Sequence, residues 1–448
     1  MAHSAEVAVL GAGLSGAGVA LELARRGIAV TLIERDERAI NRASLRNEGK
    51  IHLGLIYAND RTLRTAALQL QGALRFRSVL TRWIGADVDA LHLSSPFIYG
   101  VAEDSICPLD QLEDHYARVQ SMYEQLLRDD PALDYLGRRP NRLWHRRPAA
   151  SSTRHLASDR WMATFETEEL AIHPDRLAQH VRQAIARCDL IRFMPRHRVA
   201  SVRRIHERYR IEGQNPTGAW RIDAGQVVNA LWEGRLAIDS QLGLDVAAGW
   251  VHRLKYRVIA RLPEDLRRGP SLTMVLGRYG DVVVRPDGSA YLSWYPAGLR
   301  GWSREIEPPQ TWDSACRGVI PDDARSEIAH SILHGLDAWY PGIARAVPIE
   351  VDAGVIVAYG DSDVDDRNSG LHDRSRIGVT SADGYHSIEP GKLTTAPMFS
   401  LLAAQRVALN AASRMSSSVS HGHPFEGALS MDANGESNEI PQAPRKEA

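Results

Sequence analysis

Apolar positions along the chain change period several times, and each change predicts an element. Residues 7–10, "VAVL", and 28–33, "IAVTLI", are short continuous apolar runs, which read as strands buried on both faces. Between them, Ala20, Leu23, Gly27 and Val30 follow the spacing of a helix packed on the second strand. Residues 61–84 place Leu63, Ala66, Ala67, Leu70, Ala73 and Leu74 on one face of a long helix, and 110–128 and 322–339 have a similar period. Pro174 opens a helix over "PDRLAQHVRQAIARC". The runs "LIRF", "HRVASVRRI", "RYRIE", "WRID" and "QVVNA" then read as a small meander.

From residue 250 onward, "WVHRLKYRVIARL", "SLTMVL", "DVVVRP", "AYLSWYP" and "IEVDAGVIVAYG" alternate as antiparallel strands, with "RPDGSAY" a hairpin turn. A last helix, "MFSLLAAQRVALNAA", follows "PGKLTTAP", with Thr394 or Thr395 as its expected cap and Pro397 near its first turn. One stretch fits neither period cleanly. In "RNEGKIHLGLIYAND", residues 46–60, Ile51, Leu53, Leu55 and Tyr57 alternate like a strand, but Lys50 and His52 interleave and two glycines interrupt.

Composition narrows the class. A net charge of −1 over 448 residues gives no electrostatic case for nucleic acid or an anionic membrane as the main partner. No window approaches the roughly eighteen consecutive apolar residues of a membrane span, and "MAHSAEVAVLGAG" lacks a leader pattern, so the chain reads as cytoplasmic. Cys107, Cys188 and Cys316 are far apart, which predicts neither a disulfide framework nor a metal site. The only lysines are Lys50, Lys255, Lys392 and Lys446, and three of these fall in segments with candidate chemistry. A lysine's compact charge shifts its pKa on burial, whereas arginine stays ionised.

The first chemistry follows the first strand. In Gly11-Ala12-Gly13-Leu14-Ser15-Gly16, Gly11 permits a tight turn, Gly13 lets backbone N–H groups approach a pyrophosphate, and Gly16 allows close helix packing. Glu34, with Arg35 behind it, ends the second strand where a carboxylate can accept both hydroxyls of an adenosine ribose. The motif begins near residue 1, no second one follows, and no repeated βα units appear after Glu34, which favours FAD over NAD. At the other end, a glycine-rich loop feeds a helix N-terminus, and with Lys392 it suits the negative charge of a reduced flavin.

Together, the N-terminal fingerprint, "QVVNA" and "PGKLTTAP" resemble the D-amino acid oxidase superfamily of FAD-dependent oxidoreductases. Within it, "RNEGKIHLGLIYAND" is most similar to the matching segment of the L-2-hydroxyglutarate oxidases. The resemblance implies that Ser44 approaches the pyrophosphate, Asn47 to Gly49 pass the flavin ring, and His52 sits by the reactive face. It further implies that Val199 meets adenine through its backbone and that Gly391, Lys392, Leu393 and Thr394 hold the pyrimidine end. One departure stands out: the family has a glycine close behind "VVNA", whereas Leu231, Trp232 and Glu233 precede Gly234 here.

The expected architecture is a mixed α/β fold, a Rossmann-like FAD-binding domain with an inserted antiparallel-sheet substrate domain. FAD-binding parts span 1–95, 169–249 and 371–414, substrate parts span 96–168 and 250–370, and the tail 415–448 reads as disordered. Lys50 and His52 are the candidate catalytic residues, their glycines making room for the ring. Tyr57, Lys255, Tyr256, Tyr295 and His386 are the candidate substrate contacts, suited to a small polar anionic molecule such as an amino acid or 2-hydroxy acid. The expected reaction moves a hydride from a C–N or C–O carbon to flavin N5. Reoxidation by O₂ or another acceptor stays open, as do two alternatives: a tailoring enzyme acting on a larger substrate and a non-catalytic flavin scaffold.

Overall fold

In the computed structural model, residues 3–148, 155–157, 159–246 and 248–419 are described. The described residues up to Ala408 form one compact unit, and those from Leu409 belong to a second. Residues 415–419 continue the last helix, Ala396–Val419, and the rest of the tail expected from 415 lies outside the described residues. No helix among the described residues is long and apolar enough to cross a membrane.

Two sheets organise the first unit. The first runs Gly378–Ala382, Tyr385–Glu389, Gly218–Asn229, His3–Leu10, Val30–Ile33, Ile191–Met194. Its last five strands are parallel, and the two apolar runs read from sequence sit at its centre, buried on both faces. The meander Arg198–Ile205, Arg208–Asn215 joins it antiparallel to Gly218–Asn229. The runs "WRID" and "QVVNA" are one strand: parallel pairing with His3–Leu10 continues through Ala224 and resumes at Gln226.

Helices Leu14–Ala24, Arg64–Ile84 and Pro174–Ala186 share one apolar core with this sheet. A charged group is buried inside it. Glu22, with 0 % exposure, accepts Arg82 Nε at 2.6 Å, Arg82 Nη2 at 2.7 Å and Trp83 Nε1 at 3.1 Å, so it ties the first helix to the second. Burial alone would push its carboxyl up, but these donors outweigh burial and hold it below the usual range. A depressed folded-state pKa contributes stability above the unfolded value, lost as pH falls through the folded one. Glu22→Gln is therefore expected to cost about 2 kcal/mol at neutral pH, with the gap in unfolding midpoint closing in acid when melts are compared across pH.

The second sheet has nine strands in the order Leu299–Ser303, Trp250–Arg261, Ser289–Trp294, Gly280–Val284, Ser271–Val275, Phe97–Ala102, Trp161–Thr167, Trp144–Arg146. Val347–Tyr359 also pairs with Trp250–Arg261. Side chains alternate across a strand. Along Trp250–Arg261, Leu254, Val258 and Ala260 enter a core built against the helix Asp322–Asp337, and Tyr256 packs on that same core. Lys255 and Arg257 face the other way, toward the first sheet's loops.

Candidate active site

A single cavity of about 420 Å³ runs from the fingerprint turn to the face of the second sheet. At the turn, Gly11 has φ +87°, and a Cβ there would lie 2.7 Å from Ala230 O; on Gly16 it would lie 1.9 Å from Gly11 O. Gly13 opens the helix Leu14–Ala24 with no side-chain cap, and no acidic residue occupies the first turn. Leu14 N–H instead donates to Ser44 Oγ at 3.0 Å. Helix N–H groups and their dipole therefore face the cavity beside Gly13, Leu14 and Ser15.

Glu34 accepts Ala12 N–H at 2.7 Å and Asp36 N–H at 2.9 Å, while burial raises its pKa. Ala12 and Gly16 shape the turn without lining the cavity, whereas Val199 and Arg35 line it near Glu34. Where the resemblance leads one to expect glycine, Trp232 holds φ +54°, the left-handed conformation glycine adopts readily, and its Nε1 donates to Val355 O at 2.8 Å. Glu233 beside it pairs with Arg35.

The segment after Ser44 is held from both sides. Asn47 Nδ2 donates to Ala43 O and Ser44 O at 2.9 and 3.0 Å, and Asn47 Oδ1 accepts Gly49 N–H at 2.8 Å. From the second sheet, Arg257 makes a bidentate bridge to Asp352 and donates to Leu45 O at 3.1 Å and Asn47 O at 3.3 Å. The expected strand is only Lys50–Ile51, paired antiparallel with Leu170–Ala171, and Leu55–Tyr57 form a 3-10 turn. The glycines serve this packing. Gly49 has φ +77°, and a Cβ there would meet Ile172 O at 2.1 Å; on Gly54, at φ +97°, it would meet Ala66 O at 3.0 Å. Their space is taken by protein backbone, and Gly49 does not line the cavity.

Six chain segments converge at the far end. His52 is 4 % exposed and lines the cavity, with neither ring nitrogen hydrogen-bonded. Its backbone N–H donates to Thr394 Oγ1 at 2.9 Å. Burial pushes the imidazole's pKa down despite Glu48 and Glu169 nearby, so it rests neutral. Lys50 donates to Thr273 Oγ1, lies 3.2 Å from Asp281 Oδ1, and sits 4.1 Å over the Phe97 ring. Lys255, Lys392 and Arg374 also line the cavity, and among the described residues no carboxylate lies within 4.0 Å of any of them. Among the described residues the Arg374 guanidinium donates only to the carbonyls of Leu371 and Val357, both at 3.0 Å. Burial and neighbouring cations lower Lys392 to about 8 and Arg374 to about 10. Tyr57 OH has no hydrogen-bond partner among the described residues, and burial raises its pKa. Tyr295 OH is engaged by Asp363 at 2.5 Å and Arg253 at 2.8 Å.

Of the residues singled out from sequence, Lys50, His52, Tyr57, Lys255, Tyr295, Gly391, Lys392 and Leu393 line this end, and Ser44 and Asn47 its approach. Tyr256 stands on the opposite strand face. His386 is 0 % exposed inside the first sheet, hydrogen-bonded to Ser381 Oγ at 2.9 Å and Gln226 Oε1 at 3.2 Å. Thr394 acts through the His52 backbone, and Thr395 Oγ1 donates to Pro390 O at 2.5 Å, so both hydroxyls are engaged away from the helix N–H groups. Asp281 and Arg374 line the site without having been singled out, and Glu48, inside the stretch Asn47 to Gly49, lines it as well.

An uncapped helix N-terminus at Gly13, a carboxylate at Glu34 and a second helix start beyond Lys392 fit an extended adenine dinucleotide. Comparison with known proteins agrees. A family profile described as "DAO: FAD dependent oxidoreductase" matches residues 6–406. Among curated proteins none matches the chain by sequence. Of solved structures, glycine oxidase from Geobacillus kaustophilus is similar at TM-score 0.63 and 15 % identity, covering 90 % of this chain and 95 % of that one. L-proline dehydrogenase from P. horikoshii gives 0.63 at 12 % identity, covering 92 % and 95 %. L-alpha-glycerophosphate oxidase from Mycoplasma pneumoniae, a structure with FAD bound, gives 0.61 at 14 % identity, covering 91 % and 95 %.

Proposed function

The chain belongs to the DAO family of FAD-dependent oxidoreductases, and from that premise we propose that it oxidises a small anionic amino acid or 2-hydroxy acid at the C–N or C–O carbon. The observation that carries the substrate class is the set of Lys255, Lys392 and Arg374, which line one cavity with His52 and have no carboxylate within 4.0 Å among the described residues. All three are half-buried; Asp281 and Glu48 favour the charge on Lys255, whereas burial and neighbouring cations work against those on Lys392 and Arg374, and an anionic substrate would compensate them. We take the first sheet and its loops as the cofactor half and the second sheet as the substrate half.

In this reading the helix start at Gly13 to Ser15 holds the pyrophosphate, Glu34 the adenosine ribose and Val199 the adenine. Gly391, Lys392 and Leu393 hold the pyrimidine end. Bound FAD supplies the two-electron acceptor for the substrate's hydride. Arg374 and Lys255 anchor the substrate carboxylate, Tyr57 OH and Tyr295 border it, and the neutral imidazole of His52 takes the proton of the substrate's O–H or N–H. Lys50, locked to Thr273 and Asp281, fixes the wall between the two halves. The likeness of residues 46–60 to the L-2-hydroxyglutarate oxidases supports 2-hydroxy acids as the first donors to try.

The test is anaerobic mixing of the yellow holoprotein with matched pairs of amino and 2-hydroxy acids that differ only at the α-substituent. Bleaching by at least one anionic member, and none by its amide or ester, is expected. Bleaching by neutral amines or alcohols alone would remove the anionic class.

A further inference from the structure

Glu169 is a buried carboxylate without a basic partner. It is 0 % exposed, immediately precedes Leu170–Ala171, and has no lysine or arginine within 4.0 Å among the described residues. Its Oε1 accepts Leu53 N–H at 2.7 Å and its Oε2 accepts the Tyr99 hydroxyl. With both oxygens accepting, the group has the bonding pattern of an ionised carboxylate. Among the described residues its only ion-pair neighbour is His52, whose Nδ1 lies 3.9 Å from Oε2. On the other side of the same ring, Glu48 Oε1 lies 3.5 Å from Nε2. Glu48 lines the cavity, and Glu169 does not.

His52 thus stands between two carboxylates, one facing the cavity and one facing the interior. A neutral imidazole carries no charge for either of them to balance, whereas the imidazolium is attracted to both. The other groups facing the ring are Lys50 on its own segment, Lys392 before the last helix, and the Tyr57 ring with its centroid at 5.7 Å. Both lysines oppose the charge that the carboxylates favour. Leu53 N–H and Tyr99 OH fix Glu169 on the ring's interior side, so its geometry is set before any substrate arrives.

We propose that Glu169 is the positioning residue of His52: fixed on the interior side of the ring, 3.9 Å from Nδ1, its charge stabilises the imidazolium formed in turnover. The inference rests on His52 being the base of the reaction read above. In the step itself the substrate's O–H or N–H bond breaks as an N–H bond forms on the imidazole, which gains one proton and no electrons, and Glu169 keeps its charge. Glu48, on the cavity side, then offers the proton a route outward.

Two variants act in opposite directions. Glu169→Gln keeps an acceptor for Leu53 N–H but removes the charge that favours imidazolium. The acid limb of the pH profile of kcat/KM is expected to move to lower pH by on the order of one unit, with kcat about tenfold lower. Tyr99→Phe removes a donor from Glu169 and leaves its charge less satisfied, so the limb moves to higher pH. The same displacements are expected in an NMR titration of the His52 ring in resting holoprotein, a measurement that stands whether or not a substrate has been found. An NMR titration that coincides with wild type in both variants, or moves the same way in both, overturns the proposal. A donor screen that fails while the two titrations diverge leaves Glu169 in place and overturns only the substrate reading. Should Glu169→Gln fail to fold, Tyr99→Phe and Glu169→Asp carry the same test.

Discussion

Gly16→Val is expected to yield a chain that is purified colourless. A Cβ at this position would fall 1.9 Å from Gly11 O and 3.3 Å from Ala230 Cβ, and the first of these is a backbone atom that no rotamer change can move. The helix Leu14–Ala24 must then draw back from the turn by more than an ångström, and with it go the N–H groups that face the cavity beside Gly13. The Ala12 N–H to Glu34 bond, which sets the carboxylate that would meet the ribose, is strained by the same displacement. Overpacking of this kind costs about 3 kcal/mol, which spent on cofactor affinity is roughly a hundredfold. Flavin-to-protein ratio after gel filtration and FAD titration of the apoprotein both measure it. Gly27→Ala is the control: its φ is +76° but nothing lies within 4 Å of the added carbon, so about 1 kcal/mol of stability is lost and the colour stays. A yellow Gly16→Val protein with wild-type affinity would remove the fingerprint turn from cofactor binding.

What sequence could show here was set by the range of the interaction involved. Local periodicity located helices closely: 61–84 is Arg64–Ile84, 110–128 is Leu109–Asp129, and 322–339 is Asp322–Asp337. The fingerprint was equally readable, because its glycines answer contacts within one βαβ unit. Residues 46–60 were harder. Their alternation predicted a strand, but only Lys50–Ile51 find a partner, and that partner lies some 120 residues away at Leu170–Ala171. Glu169 belongs to that partner segment and Arg374 to the irregular stretch between the strands Val347–Tyr359 and Gly378–Ala382. Nothing in their local pattern sets them apart from surface charges. Tyr256 is different. Period-two alternation places it opposite Lys255 on one strand, so only one of the two can face the cavity.

Trp232 marks a limit of motif reasoning. The chain departs there from an expected glycine, yet the backbone is left-handed all the same, with the indole anchored on Val355 O at 2.8 Å. The second sheet supplies that anchor, just as it supplies the Arg257 contacts to Leu45 and Asn47. The loops that would carry the cofactor are therefore held in place by the half that would bind substrate. Local sequence does not report this coupling, because each tether joins residues more than a hundred positions apart.

His52→Ala should leave the protein yellow and slow its anaerobic reduction by about 10²- to 10⁴-fold, the usual contribution of a placed general base. The backbone at this position is tied to Thr394 Oγ1 at 2.9 Å, so losing the ring leaves the segment anchored. The void left beside Tyr57, whose ring is edge-on to the imidazole, costs stability but does not touch the fingerprint turn. The pH dependence then separates the two donor types. An alcohol keeps its proton throughout the accessible range, so the deficit persists as pH rises. An amine loses its proton to solvent at high pH and arrives ready to react, so the deficit shrinks there. Stopped-flow reduction at saturating substrate, measured from neutral to alkaline pH, reads the difference. Wild-type rates across the whole range would mean that the neutral imidazole, though it lines the cavity with both nitrogens unbonded, takes no proton in the reaction.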